Sequence, residues 1–117
     1  MPRSVAAYLS DILDACHAID AVLSGVGLDT YLEQRSIRSS VEREFIIIGE
    51  AVASIRRTRP ELAERISDAR VIVGFRNVLT HDYAAVDDEA VYGVATEDLS
   101  LLKRECNELL EQVEGAS

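Results

Sequence analysis

Proline and glycine are scarce in this chain. Its 117 residues include two prolines and six glycines, and it has neither a low-complexity tract nor an internal repeat. With 48% of its residues hydrophobic, it is expected to fold rather than stay disordered. No apolar run approaches the roughly 20 residues that cross a bilayer. The opening Met1-Pro2-Arg3-Ser4 leads into an amphipathic pattern rather than a signal peptide, so a soluble, cytoplasmic protein is the simplest expectation. Cysteine is also sparse. Cys16 and Cys106 are isolated, and both fall in apolar stripes where cysteine behaves as a small hydrophobe. Buried thiols are therefore expected in preference to a disulfide. No Cys/His cluster has metal-ligand spacing, and no metal or other cofactor is expected. The length suggests a single domain over 1–117 with a modest core.

The net charge of −9 argues against broad, non-specific binding of nucleic acid. Its distribution is uneven. From Arg35 to Arg76 nine arginines face six acids, a balance of +3, while the remainder holds three basic groups and fifteen acids, a balance of −12. A basic middle between acidic ends offers RNA one favourable face. A merely solvated helix surface is the alternative.

Helical periodicity runs through the chain. Val5, Leu9, Ile12, Cys16, Ile19 and Leu23 step by four and three, one stripe of an amphipathic helix that Gly25 and Gly27 end. Asp29 or Thr30 is expected to cap a short helix, with Glu33 closing a Thr-x-x-Glu box. Val41, Phe45, Ile48, Val52 and Ile55 mark a second long helix. Its extra apolar residues Ile46, Ile47 and Ala51 call for cover on more than one side. Pro60 suits the first turn of a short helix over 60–66. A third main helix is expected from Ser67 or Asp68 to about Thr80. A last one, capped by Asp87 or Asp88, carries Val91, Ala95, Leu99, Leu102, Cys106, Leu109 and Val113. Four main amphipathic helices with short links read as an all-α, up-down helical bundle.

The chemistry concentrates in Arg76-Asn77-Val78-Leu79-Thr80-His81-Asp82-Tyr83, an R-x-x-x-x-H-x-Y pattern holding one of only two histidines. A guanidinium binds phosphate by charge and paired N–H donors, and an imidazole moves protons near neutral pH. On an ideal helix, residues five apart point about 140° away from each other. Arg76 and His81 therefore do not share a face, whereas Asn77 and His81 do. The motif fits a helix end that presents its reactive groups at the mouth of a cleft. RNA cleavage without a metal needs a base for the ribose 2′-OH, an acid for the leaving 5′-oxygen, and a cation for the phosphorane charge. Two copies facing across a two-fold axis supply two histidines and two arginines, so the chemistry favours a homodimer. A purely structural role remains open: Arg76 as the ion-pair partner of Asp82 or Glu50, and His81 as a helix-end residue near the negative pole of the dipole. His17 has no arginine near it in the sequence and reads as a surface or boundary residue. Glu50 lies within Ile48-Gly49-Glu50-Ala51, and a carboxylate there calls for a partner. Arg76 or another arginine is expected to pair with it, and Gly49 to permit a close helix approach. Glu42 and Glu44 are ambiguous.

Two blocks, Ser40-Val41-Glu42-Arg43-Glu44-Phe45-Ile46-Ile47-Ile48-Gly49-Glu50-Ala51 and Ile72-Val73-Gly74-Phe75-Arg76-Asn77-Val78-Leu79-Thr80-His81-Asp82-Tyr83, resemble the HEPN superfamily. Within it they are most similar to its HepT-like branch, the toxin half of HEPN/MNT toxin–antitoxin pairs. The resemblance covers nearly the whole chain. It implies a homodimeric ribonuclease with its motifs at the dimer interface, where Arg76 and His81 are catalytic; the residues themselves suggest Asn77 and Glu50 as their support. It further implies control by a partner nucleotidyltransferase of the MNT type, which adds AMP to Tyr83. Added charge and bulk there would compete with RNA, whether mRNA or tRNA, for Arg76 and His81. A tyrosine that simply packs at the helix end is the alternative, and Ala84-Ala85 replace the bulky aromatic that follows it in many members. Two other functions stay open: a non-catalytic nucleotide- or substrate-binding subunit of a nucleotidyltransferase, and a structural helical dimer with a degenerate site.

Overall fold

Ser4 starts the first helix. Its hydroxyl accepts the Ala7 N–H at 3.1 Å, satisfying one of the donors that a helix start leaves open. Helix α1 then runs Val5–Leu23 and buries Leu9, Ile12, Cys16 and Ile19. Gly25, at φ +73°, takes the left-handed conformation that turns the chain away. The computed structural model describes residues 3–115. Met1 and Pro2, half of the opening tetrapeptide, lie outside the described residues, as do Ala116 and Ser117 at the end of the expected domain.

Helix α2, Leu28–Glu33, starts two or three residues earlier than the sequence suggests. Gly27 is its N-cap, without a side-chain bond, so Asp29 and Thr30 lie inside the helix and the expected capping box does not form. Asp29 instead occupies the first turn, where its charge suits the helix dipole. In this register Tyr31 points into the core, fully buried, with its ring 5.2 Å from that of Tyr92. Helix α3, Arg35–Thr58, buries Val41, Phe45, Ile48, Val52 and Ile55. It is the central helix, packed against α1 on one side and α5 on another. Pro60 opens α4, which spans only Pro60–Ala63. The chain continues as turns closed by Arg65 N–H to Leu62 O and Ile66 N–H to Ala63 O, both 3.0 Å.

Helix α5 covers Ala69–His81 and is followed by a 3₁₀ turn at Tyr83–Ala85. Helix α6, Asp88–Glu97, is capped by Asp87, whose carboxylate accepts the N–H groups of Glu89 and Ala90. Helix α7 is Leu99–Gly115. The expected single last helix is thus two, parted at Asp98. Its two halves face different neighbours. Helix α6 leans on α2, with the Tyr92 hydroxyl donating to Val26 O at 2.7 Å. Helix α7 lies along α1, where Lys103 pairs with Asp20 at 2.5 Å.

The described residues contain no strand, and the chain is an all-α bundle. None of the described helices is long and apolar enough to cross a membrane. Cys16 and Cys106 are free and buried, as expected. Burial pushes both thiols up to about 12, and the charge of Cys16 adds to the rise at Cys106.

Candidate active site

Helix α5 carries most of the motif, and its contact with α3 fixes Arg76. A Cβ placed on Gly49 would lie 2.3 Å from Arg76 Cβ and 2.7 Å from its Cγ. Only a glycine lets the Arg76 side chain root itself directly on the α3 backbone. The stem is thereby held between the helices, and the side chain is 22% exposed. Its Nε is buried without a hydrogen-bond partner, while Nη1 lies 3.9 Å from Glu50 Oε1. Sequence reasoning foresaw both the close approach at Gly49 and the pairing of Glu50 with Arg76. It misjudged the setting of Glu50, whose side chain is 62% exposed. The apolar letters around it belong to the other side of α3. A long ion pair at the surface contributes little to stability, and it leaves most of the guanidinium's donors open to another anion.

Asn77 and His81 are exposed on α5. His81 is its last residue, beside the negative end of the helix dipole. The Thr80 hydroxyl bonds back to the carbonyl of Arg76 at 3.0 Å, engaging one acceptor of the final turn. Asp82, at φ −140° and ψ 57°, ends the helix, and Tyr83 follows with 62% exposure. Within one chain nothing joins Arg76 to His81: the guanidinium's partner is Glu50, and the imidazole has no hydrogen bond among the described residues. This agrees with the wide angle between them on a helix. His17, the other histidine, is a surface residue of α1. Among the described residues no three His, Cys, Asp or Glu side chains come together in a way that would hold a metal ion.

The family of proteins described as ribonuclease HepT-like matches residues 12–109. The chain belongs to that family. The match runs from within α1 to within α7 and takes in both sides of the Gly49–Arg76 contact. A Methanocaldococcus jannaschii protein provisionally named an RNase is 29% identical over 105 residues, covering 88% of this chain and 94% of the relative. A second protein of that organism with the same provisional name is 27% identical over 113 residues, with 97% and 93% covered. A Thermococcus cleftensis protein, provisionally named a ribonuclease HepT, is 30% identical over 107 residues, covering 88% and 93%. No solved structure matches the chain.

The carboxylate that this HepT-like chain does bury is Glu42, 7% exposed. Burial raises its pKa, the nearby Asp88 adds to the rise, and Arg38 opposes it. Arg38 donates to Tyr31 O and Leu32 O and lies 3.6 Å from Asp88, tying α3 to α2 and α6. The Tyr31 hydroxyl is buried without a partner. Burial, then the fields of Glu42 and Asp88, raises its pKa against the opposing charge of Arg38, with Tyr83 a weaker contributor. The sequence signal for the buried carboxylate is that Glu42 shares a line of α3 with Phe45, Gly49 and Val52, at spacings of three, seven and ten.

Proposed function

We propose that this HepT-like protein is a metal-independent endoribonuclease of a HEPN/MNT toxin–antitoxin pair. Arg76 binds the scissile phosphate and stabilises its charge. His81 acts as acid or base, and Asn77 orients the imidazole or the substrate. The observation that carries the reading is an arginine rooted on Gly49 with donors to spare, in the same exposed helix end as a histidine, in a chain of a ribonuclease family. The 2′-oxygen attacks the adjacent phosphorus and its proton passes to a base. The 5′-oxygen leaves with a proton from an acid, and a 2′,3′-cyclic phosphate remains. One chain supplies one such imidazole, directed away from its own guanidinium. A homodimer whose α5 C-terminal ends face each other supplies both roles, and His81 at that end is exposed for the pairing. The whole chain acts as one domain.

Tyr83 is the point of control. Its exposed phenol stands two residues beyond His81, where a partner nucleotidyltransferase can reach it. AMP attached there brings phosphate beside Arg76 and excludes RNA. The test is cleavage of RNA by purified protein in EDTA, with His81→Ala alongside. Cleavage by the wild type alone, leaving cyclic-phosphate ends, supports the enzyme. If neither protein cleaves and the intact mass shows no AMP on Tyr83, the reading fails in favour of a nucleotide-binding subunit.

A further inference from the structure

The outer face of α5 extends the site beyond the motif. Arg70, Gly74, Asn77 and His81 recur at spacings of four, three and four, which places them within about 60° of one another on a helix. All four are exposed. Gly74 has no steric duty within the chain, since a Cβ there would meet nothing within 4 Å. The helix thus presents, in one line, a cation, a bare stretch of backbone, an amide and an imidazole. Arg70 stands about 16 Å from His81 along the axis. At the Arg70 end a cleft of about 410 Å³ opens between the end of α3 and the start of α5. Arg56 and Arg70 flank it, Pro60, Ile66 and Ala69 help form its wall, and Glu64 is its one carboxylate. Neither arginine has a hydrogen-bond or ion-pair partner among the described residues. Arg57 adds a third cation beside Arg56 and is bonded only to the Ser54 hydroxyl. Arg56 lies seven residues beyond Gly49, on the same face of α3, so the cations continue the line from the Gly49–Arg76 contact. In a protein of net charge −9, unpaired arginines gathered around one cleft select an anion.

We propose that Arg56 and Arg70 form a remote phosphate site for the RNA strand whose scissile bond lies at Arg76 and His81, with the strand running along the outer face of α5. The inference rests on the ribonuclease reading and adds to it a direction and a footprint. A single strand advances roughly 3.4 Å per nucleotide when stacked and about twice that when extended, so the two sites are on the order of two to five nucleotides apart. A positive groove that tracks the backbone in this way binds without regard to sequence.

The test pairs steady-state cleavage of a labelled 12-nucleotide RNA with anisotropy measurements of its binding to the His81→Ala protein, each over a range of salt. Arg56→Ala/Arg70→Ala is compared with Arg104→Ala, an exposed arginine of α7, and circular dichroism checks that each variant folds. The double variant is expected to raise KM about tenfold or more with kcat retained, the penalty shrinking as the RNA is shortened to a dinucleotide. The slope of log affinity against log salt should fall by about 1.4, at ~0.7 per lost contact on a single strand. Arg104→Ala should leave that slope in place. Wild-type cleavage with KM and slope unaltered by the double variant overturns the remote site and leaves the ribonuclease standing. Absence of cleavage, with binding that still depends on Arg56 and Arg70, overturns the ribonuclease and supports the site. RNA neither bound nor cut overturns both.

Discussion

Two glycines near the motif ought to respond in opposite ways to the same methyl group. At Gly49 an added Cβ meets Arg76 Cβ at 2.3 Å, against the 3.4 Å of ordinary contact, so the two must part by about 1 Å. The atom in the way is the root of a side chain, fixed to the α5 backbone, and it cannot swing aside. Helix α5 has to move off α3, its main support. Crowding of this kind costs about 1–3 kcal/mol, offset by at most ~1 kcal/mol of improved helix propensity. At Gly74 the propensity gain comes without a clash. Gly49→Ala should therefore be less stable than Gly74→Ala by about 1–3 kcal/mol, read as urea-melt midpoints at constant m-value. Displacing the guanidinium by about 1 Å should also lower RNA cleavage by up to ~100-fold. If Gly49→Ala melts no earlier than Gly74→Ala, the Gly49–Arg76 contact does not hold α5, and the account of how Arg76 is positioned fails.

Other consequences can be measured on the same protein. Glu42 has a raised folded pKa, so the folded state binds its proton more readily than the unfolded state. Its ionisation weakens the fold above that pKa, and the penalty is relieved as pH falls through the folded value toward the unfolded one. Glu42→Gln should raise thermal stability at pH 7.5 and lose that advantage near pH 4; a loss of stability at pH 7.5 would show that the carboxylate's bonding outweighs its burial. Cys16 and Cys106, with thiols pushed up to about 12 by burial, should resist a thiol reagent in native buffer at pH 8 and react with two equivalents in urea. Labelling of the folded protein at the rate of a free thiol would refute their burial. Arg76→Lys should keep the charge but lose the paired donors, lowering cleavage by at least ~10-fold with little change in melting; full activity would argue against a two-pronged hold on the phosphate.

The features legible in the sequence were those with a strong period or a steric cause. The stripes of α1 and α3 placed both helices, and Gly49 within an apolar run pointed to the helix contact that exists. The break at Asp98 was not legible. Val91, Ala95, Leu99 and Leu102 keep one helical period across it, and between Val94 and Leu102 no proline or glycine marks an end. Only the tertiary pull of Tyr92 toward Tyr31, and of α7 toward α1, separates the two helices. The start of α2 was misplaced for a related reason. Two good capping residues, Asp29 and Thr30, follow two and three residues after Gly27, the glycine that caps without a side chain, and the burial of Tyr31 suits that register. For the carboxylates, the apolar neighbours of Glu50 misled, because on a helix the letter beside a buried residue is turned about 100° away. Glu42 is the buried one, being in line with Phe45 and Gly49. The motif itself was legible as a pattern. That Arg76 and His81 do not meet within one chain follows from their spacing.

Helix α5 bears the motif yet commits only Ala69 and Leu79 to the buried core. A helix built this way separates two kinds of selection. Substitutions on its outer side alter what the protein touches while costing the fold little, and those on its α3 side are disciplined by the fit around Gly49. A bundle with its motif-bearing helix so lightly buried can keep its frame while the outer letters of that helix are rewritten.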